Sequence, residues 1–343
     1  MDQKAEKDST NYQAHTINIS GLTYAEVKDI AMDVFKNNFE KLSDDAANTA
    51  FIRAKEITEK FLNKLMENNP KGLELAKDPD FQCSYYEMQK AYARTGDKDL
   101  EALLVDLMVD RSRQTQRNIL QIVLNEALLT APKLTNNHLA SLAIIFILRY
   151  VEKGIFDFNG LGLYFEQHIF PFLPSLKVND TLCYQHLEFT GCGSIGITVY
   201  ALESIFSDVF SGLFNHGFDE SVISNRSITI GKNSEFFIPC LNDVTKLQVN
   251  AQNLKALKNL FDIFKISSND RNQIEWLFEN NKFSAQEVKD KCISIRPYMQ
   301  QLFDIWSSSP MQNVTLTSVG IAIGHANIQR HVGKFADLSL WIN

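Results

Sequence analysis

Apolar positions recur every three or four residues through most of the chain, the period of helices that bury one face. Val27, Ile30, Val34, Phe35 and Phe39 keep that spacing, and Thr23 with Glu26 three residues later forms a capping box ahead of them. Ser43-Asp44-Asp45 opens a second helix to about Asn68, with Ala47, Ala50, Ala54, Ile57, Phe61 and Leu65 on its face, and Asn69-Pro70-Lys71-Gly72 stops it. A third helix covers about 81–95 and ends at Gly96. Asp97 then caps a fourth, in which Leu100, Leu103, Leu104, Leu107 and Met108 form a broad stripe. Further helices are predicted at about 114–130 and, after Pro132 and the cap Thr135, at about 136–153. Residues 154–180, rich in Phe and broken by Pro171 and Pro174, read as a packing segment that joins two halves.

The period changes in the centre. Leu182–Thr190, Ser227–Ile230, Phe236–Cys240 and Lys246–Val249 look like strands, with a helix at about 197–213 among them. Helices resume over 251–307, where Ala256, Leu257, Leu260, Phe261 and Phe264 mark one face. Near the end Val314 and Leu316 belong to a short strand, and Thr317 caps a final helix opened by Leu316-Thr317-Ser318-Val319-Gly320. A strand running through Leu-Thr-x-x-Gly into a helix is a common ending of winged-helix units. The pattern predicts a predominantly α protein. It has a tail and strand over 1–22, an all-helical domain over 23–153, an aromatic linker and small α+β region over 154–250, and a helical C-terminal part over 251–343 with a winged-helix-like end.

Residues 9–19, Ser-Thr-Asn-Tyr-Gln-Ala-His-Thr-Ile-Asn-Ile, carry β-branched and amide residues with no helical period and end at the turn signal Ser20-Gly21. The sequence that follows is helical, so this strand has no local neighbour to take its backbone hydrogen bonds. Two solutions stand open: pairing between copies, which makes the protein a homo-oligomer through residues 9–19, or docking of the arm on its own body or distant β region.

Composition narrows the function classes. Of 343 residues 45% are hydrophobic and 22% charged, with only 15 Gly and 8 Pro, which describes a folded, helix-rich chain. A net charge of −7 argues against nucleic acid or anionic lipid as the main partner. Five scattered cysteines, an odd number, fit a reduced, cytoplasmic protein. Met1–Asp8 has no apolar leader core, and the greasiest run, Leu139–Val151, is well short of the roughly 20 residues a bilayer span needs. No membrane partner is expected.

One loop carries candidate chemistry. Gly191-Cys192-Gly193-Ser194-Ile195-Gly196 matches G-x-G-x-x-G between a predicted strand and a predicted helix, where glycines would let backbone amides approach a phosphate. Gly191, Gly193 and Gly196 are thus candidate cofactor-binding positions. Against this, the preceding segment contains Gln185, His186 and Glu188, unlike a doubly buried first strand, and no train of alternating strands and helices follows. Cys192 with His186 and Glu188 forms a candidate catalytic group, thiol and base. Cys183, His186 and Cys192 have a C-x2-H-x5-C spacing without a clear fourth ligand, His168 being a distant option, so no metal and no cofactor is expected. Arg111, Arg113 and Arg117 could grip an anion or pair with neighbouring acids, and His325, Arg330, His331 and Lys334 read as a basic face on the last helix.

Tyr92-Ala93-Arg94-Thr95-Gly96-Asp97-Lys98-Asp99-Leu100, followed by Leu103–Leu107, resembles the helical core of Abi-alpha-type bacterial proteins, and so does Leu316–Ala322. Residues 11–19 are similar to the short Asn-x-Gln-Ala-type strands ahead of diverse domains in bacterial conflict systems. The resemblance implies a host-defence setting, abortive infection by phage, and no reaction. It covers about a quarter of the chain and has no counterpart to residues 154–300. The expectation drawn is a self-assembling sensor, adaptor or effector, with a nucleotide-responsive protein or enzyme built on the Gly191 loop as the alternative.

Overall fold

The computed structural model describes residues 22–39, 42–333 and 335–343. The predicted strand over residues 9–19 lies outside them. The protein is predominantly α. Its described residues divide into two compact units: one takes in those up to Glu101 together with Met108–Thr115, the other those of Ala102–Leu107 and Gln116–Asn343.

The first unit contains α1 (Tyr24–Asn38), α2 (Asp44–Asn68) and α3 (Pro79–Thr95), with both ends of α4 (Lys98–Arg111). The caps read from the sequence are present. The Thr23 hydroxyl accepts from the Glu26 amide while Glu26 accepts from the Thr23 amide at 2.7 Å. Gly96 closes α3 at φ +66°, and the Asp97 carboxylate accepts from the amides of Asp99 and Leu100. Within this unit Met32, Phe35, Ala50, Ala54 and Ala93 pack into one cluster.

Besides the middle of α4, the second unit contains α5 (Ile119–Thr130) and α6 (Asn136–Tyr150). Every residue of α6 from Leu139 to Leu148 is buried, so this helix is covered on all sides rather than on a stripe. There follow α7 (Phe158–His168), α8 (Thr181–Phe189), β1 (Gly193–Ile195), α9 (Leu202–Val209), α10 (Ser221–Asn225), β2 (Phe237–Pro239), β3 (Leu247–Val249), α11 (Leu254–Phe264), α12 (Ser268–Asn280), α13 (Ala285–Ile295), α14 (Met299–Ser308), β4 (Val314–Leu316) and α15 (Ser318–Val332). The last helix packs on α5 and α6. Gly324 lets it approach the Leu142 carbonyl, and the buried Asn327 amide donates to the Leu139 carbonyl at 3.0 Å.

Two short antiparallel pairs are the only sheets among the described residues. β2 and β3 pair Phe237 with Val249, and with α11 and α12 they enclose a second core around Phe236, Phe261, Ile274 and Phe278. β1 pairs with β4, Gly193 opposite Leu316 and Ile195 opposite Val314. The strand before α15 therefore finds its mate in the centre of the chain.

Four sequence expectations are corrected. Leu182–Thr190 is not a strand but α8: Asp180 caps it through the Cys183 amide at 3.1 Å, and Cys183, Tyr184 and Leu187 supply a buried helical stripe. Outward-facing Leu182 and Phe189 create the false alternation. Ser227–Ile230 is a turn, with Ser227 at φ +53°, and the helix expected over 197–213 shortens to α9. His325 does not belong to a basic face; it is buried and shares its Nε2 hydrogen with the Ala336 carbonyl at 2.6 Å. Lys334 lies outside the described residues.

Candidate functional site

The glycine loop sits between a helix and a strand, the reverse of the order a phosphate loop requires. Gly191 ends α8 at φ +74°, a left-handed turn that suits glycine. The amides that would cradle a phosphate are already engaged: Gly191 donates to the Glu188 carbonyl, Cys192 to Leu187, Ile195 to the Glu188 carboxylate at 2.9 Å and Gly196 to Asn313. Gly193 is a ladder residue of β1.

The carbonyls of this loop face α15. The Thr317 hydroxyl, which caps α15 by accepting from the Gly320 amide, donates to the Gly191 carbonyl at 2.6 Å. The Thr317 amide donates to the Cys192 carbonyl at 3.1 Å. Gly320 lies so close that a Cβ there would stand 1.9 Å from the Cys192 oxygen. The two local motifs of the sequence, Gly-Cys-Gly and Leu-Thr-x-x-Gly, are thus halves of one joint, and each explains the other's glycine.

The candidate catalytic residues do not converge. Cys192 is fully buried, its sulfur accepting from the Thr190 hydroxyl at 3.6 Å. Burial pushes its thiol up, against a smaller opposing pull from that hydroxyl, the opposite of what a nucleophile needs. Glu188 holds the Ile195 amide. His186 turns to the opposite side of α8, where its Nε2 donates to the Lys133 carbonyl at 2.9 Å. No set of three His, Cys, Asp or Glu side chains among the described residues is placed to share a metal ion. His168 meets Lys153, not the cysteines. Of the arginines, Arg111 is buried against Asp80 at 2.5 Å and Arg113 pairs with Asp110 at 3.1 Å.

His186 instead lines an open cleft of about 550 Å³ with His138, Asp180, Lys177 and Phe189. The two imidazoles lie 4.7 Å apart, tilted by 40°. His138 escaped the sequence reading although it stands three residues after the cap Thr135. There it does the work Glu or Gln does in a capping box, its Nδ1 accepting from the Thr135 amide at 3.0 Å. That bond requires a bare Nδ1 and hence a neutral ring. Burial first, and His186 second, lower its pKa from 6.5, with Asp180 pulling the other way.

A pH dependence follows, with its sign. A histidine whose pKa is lower in the folded chain contributes stability that is full above its unfolded value, near 6.5, and is lost as pH falls toward the folded value. His168, lowered chiefly by burial and then by Lys153, adds in the same direction. Thermal melts from about pH 7.5 to about pH 5.5, above the carboxylate range, should show a falling melting temperature. His138→Gln keeps a capping side chain without the titration and should flatten part of that slope. A flat profile in the parent protein would contradict this account.

One family model, whose description reads only “:-like”, matches residues 21–342, and the chain belongs to that family. No curated protein and no solved structure matches it. Among the described residues no helix is long and apolar enough to cross a membrane, and all five cysteines are free.

Proposed function

We propose that the chain is a self-assembling cytoplasmic protein of bacterial phage defence, a sensor, adaptor or effector that acts by contact rather than by a reaction of its own. The observation that carries this reading is a division of labour around α8. The residues with chemistry to offer hold the fold, as Cys192, Glu188 and the loop amides do, while large apolar side chains beside them face solvent. Phe189 is 85% exposed, Leu182 76% and Ile197 wholly so. Apolar surface left open to water favours a partner. The resemblance of residues 92–107 and 316–322 to Abi-alpha-type proteins supplies the defence setting. Residues 9–19, outside the described part, supply the β-forming segment through which copies would join.

Light scattering on the full chain and on a chain lacking residues 1–20 tests the assembly. The full chain should run as a multiple of 39.0 kDa and the truncated chain as a monomer. An unchanged mass, or a monomer in both, removes the assembly claim.

A further inference from the structure

A second cavity, of about 800 Å³, opens where the ends of α6, α7 and α15 meet the C-terminal residues. Lys153 reaches into it. Its Nζ lies 3.2 Å from His168 Nε2 and 5.8 Å from the centre of the Tyr164 ring, which stacks on the His168 imidazole. Its backbone is pinned as well, the carbonyl accepting from Gln252 Nε2 at 2.5 Å.

The groups beside this ammonium are neutral. Arg111 has Asp80, Lys60 has the buried Glu101 and Arg296 has Glu166, whereas Lys153 has no carboxylate partner among the described residues. The two acids on the cavity wall are taken: Glu152 pairs with Lys255 at 3.0 Å and Glu166 with Arg296 at 2.7 Å. The imidazole cannot serve as a counter-charge. With a proton donor at its Nε2, His168 is a neutral acceptor, and its Nδ1 is buried without a good hydrogen-bond partner. Burial alone lowers the pKa of Lys153, with no anion to oppose it. The residue is exposed to solvent, yet its ammonium is held in place by neutral groups, with no opposite charge beside it. Phe335 and Trp341, whose rings stack nearly parallel at 16°, line the same cavity, with the exposed Leu340 beside them.

We propose that this cavity binds a small organic oxyanion carried on a flat ring, its charge on Lys153 and its ring against Phe335 and Trp341. Charge-assisted hydrogen bonds from the ammonium give the anion its anchor, and the aromatic wall selects against bare ions. The site is separate from α8 and from residues 9–19, so it stands or falls independently of the assembly reading.

Isothermal titration of the full chain with AMP, benzoate, inorganic phosphate and adenosine tests it. At least one of the two ring-bearing anions, AMP or benzoate, should bind saturably at one site per chain. Phosphate without a ring and adenosine without a charge should each bind about tenfold more weakly or not at all. Lys153→Met should weaken the ring-bearing anion about tenfold or more. Lys153→Gln, which keeps a donor against His168 Nε2, should lose as much while melting like the parent. Absence of saturable binding by both AMP and benzoate, equal binding of bare phosphate, or undiminished affinity in the lysine variants overturns the proposal.

Discussion

Gly320→Val is expected to lower the melting temperature by about 10 °C, from a loss of about 3 kcal/mol or more. The reason is local and hard. The first side-chain atom would stand 1.9 Å from the Cys192 carbonyl oxygen, a backbone atom that cannot swing aside. Relief would require α15 to move away, and with it the Thr317 bonds to Gly191 and Cys192 and the β1–β4 pair. Gly231→Ala, at a position where an added Cβ meets nothing within 4 Å, is the control and should lie within about 0.5 kcal/mol of the parent. Differential scanning calorimetry of the two variants decides the matter: equal melting would mean that the joint between loop and helix is not as close as described.

Phe146→Ala should cost about 3–5 kcal/mol, the range for emptying a large aromatic site in a core. Phe146 is fully buried at the centre of α6, with the rings of Trp341 at 5.0 Å, Tyr150 and His325 at 6.1 Å and Phe335 at 6.4 Å around it. These neighbours come from α6, α15 and the C-terminal residues, so the cavity left behind has no single flexible wall that could fold into it. Urea titration should show a lower midpoint. Phe146→Leu, which keeps most of the volume, should recover much of the loss. A midpoint unchanged in the alanine variant would show that this aromatic cluster is not a core.

How far the sequence reached follows the range of each interaction. Thr23 with Glu26, Asp97, and Thr317 were legible because a cap and its amides lie within a few residues of one another. The predominantly helical class was legible for the same reason, since helix periodicity is local. β1 was not: three residues with a glycine at one end carry no pattern of their own, and their register comes from Val314–Leu316 far along the chain. α8 was misread because its apolar residues fill two faces, Cys183, Tyr184 and Leu187 inward and Leu182 and Phe189 outward, which blurs the helical period. Among the candidate site residues, the sequence brought Cys192, His186 and Glu188 together by number alone. A helix turns successive side chains to different sides, and α8 sends His186 and Glu188 to different places, while Cys192 lies past its end in the buried loop. Lys153 and His168 are fifteen residues apart with the length of α7 between them, and nothing in their types announced that they would meet.

The late partnership of β1 and α6 with the end of the chain bears on how the protein is made. α6 leaves the ribosome with apolar groups on every side, while the helix that covers it, α15, is finished only at Val332. At ordinary translation speeds that interval is about 10–40 s. Throughout it the nascent chain presents one of its greasiest segments without its natural cover, a window in which chaperones must hold it or neighbouring nascent chains will stick. Messages cut short before codon 317 would never leave that window, and their products should be recovered as aggregates or proteolytic fragments rather than as shortened working copies.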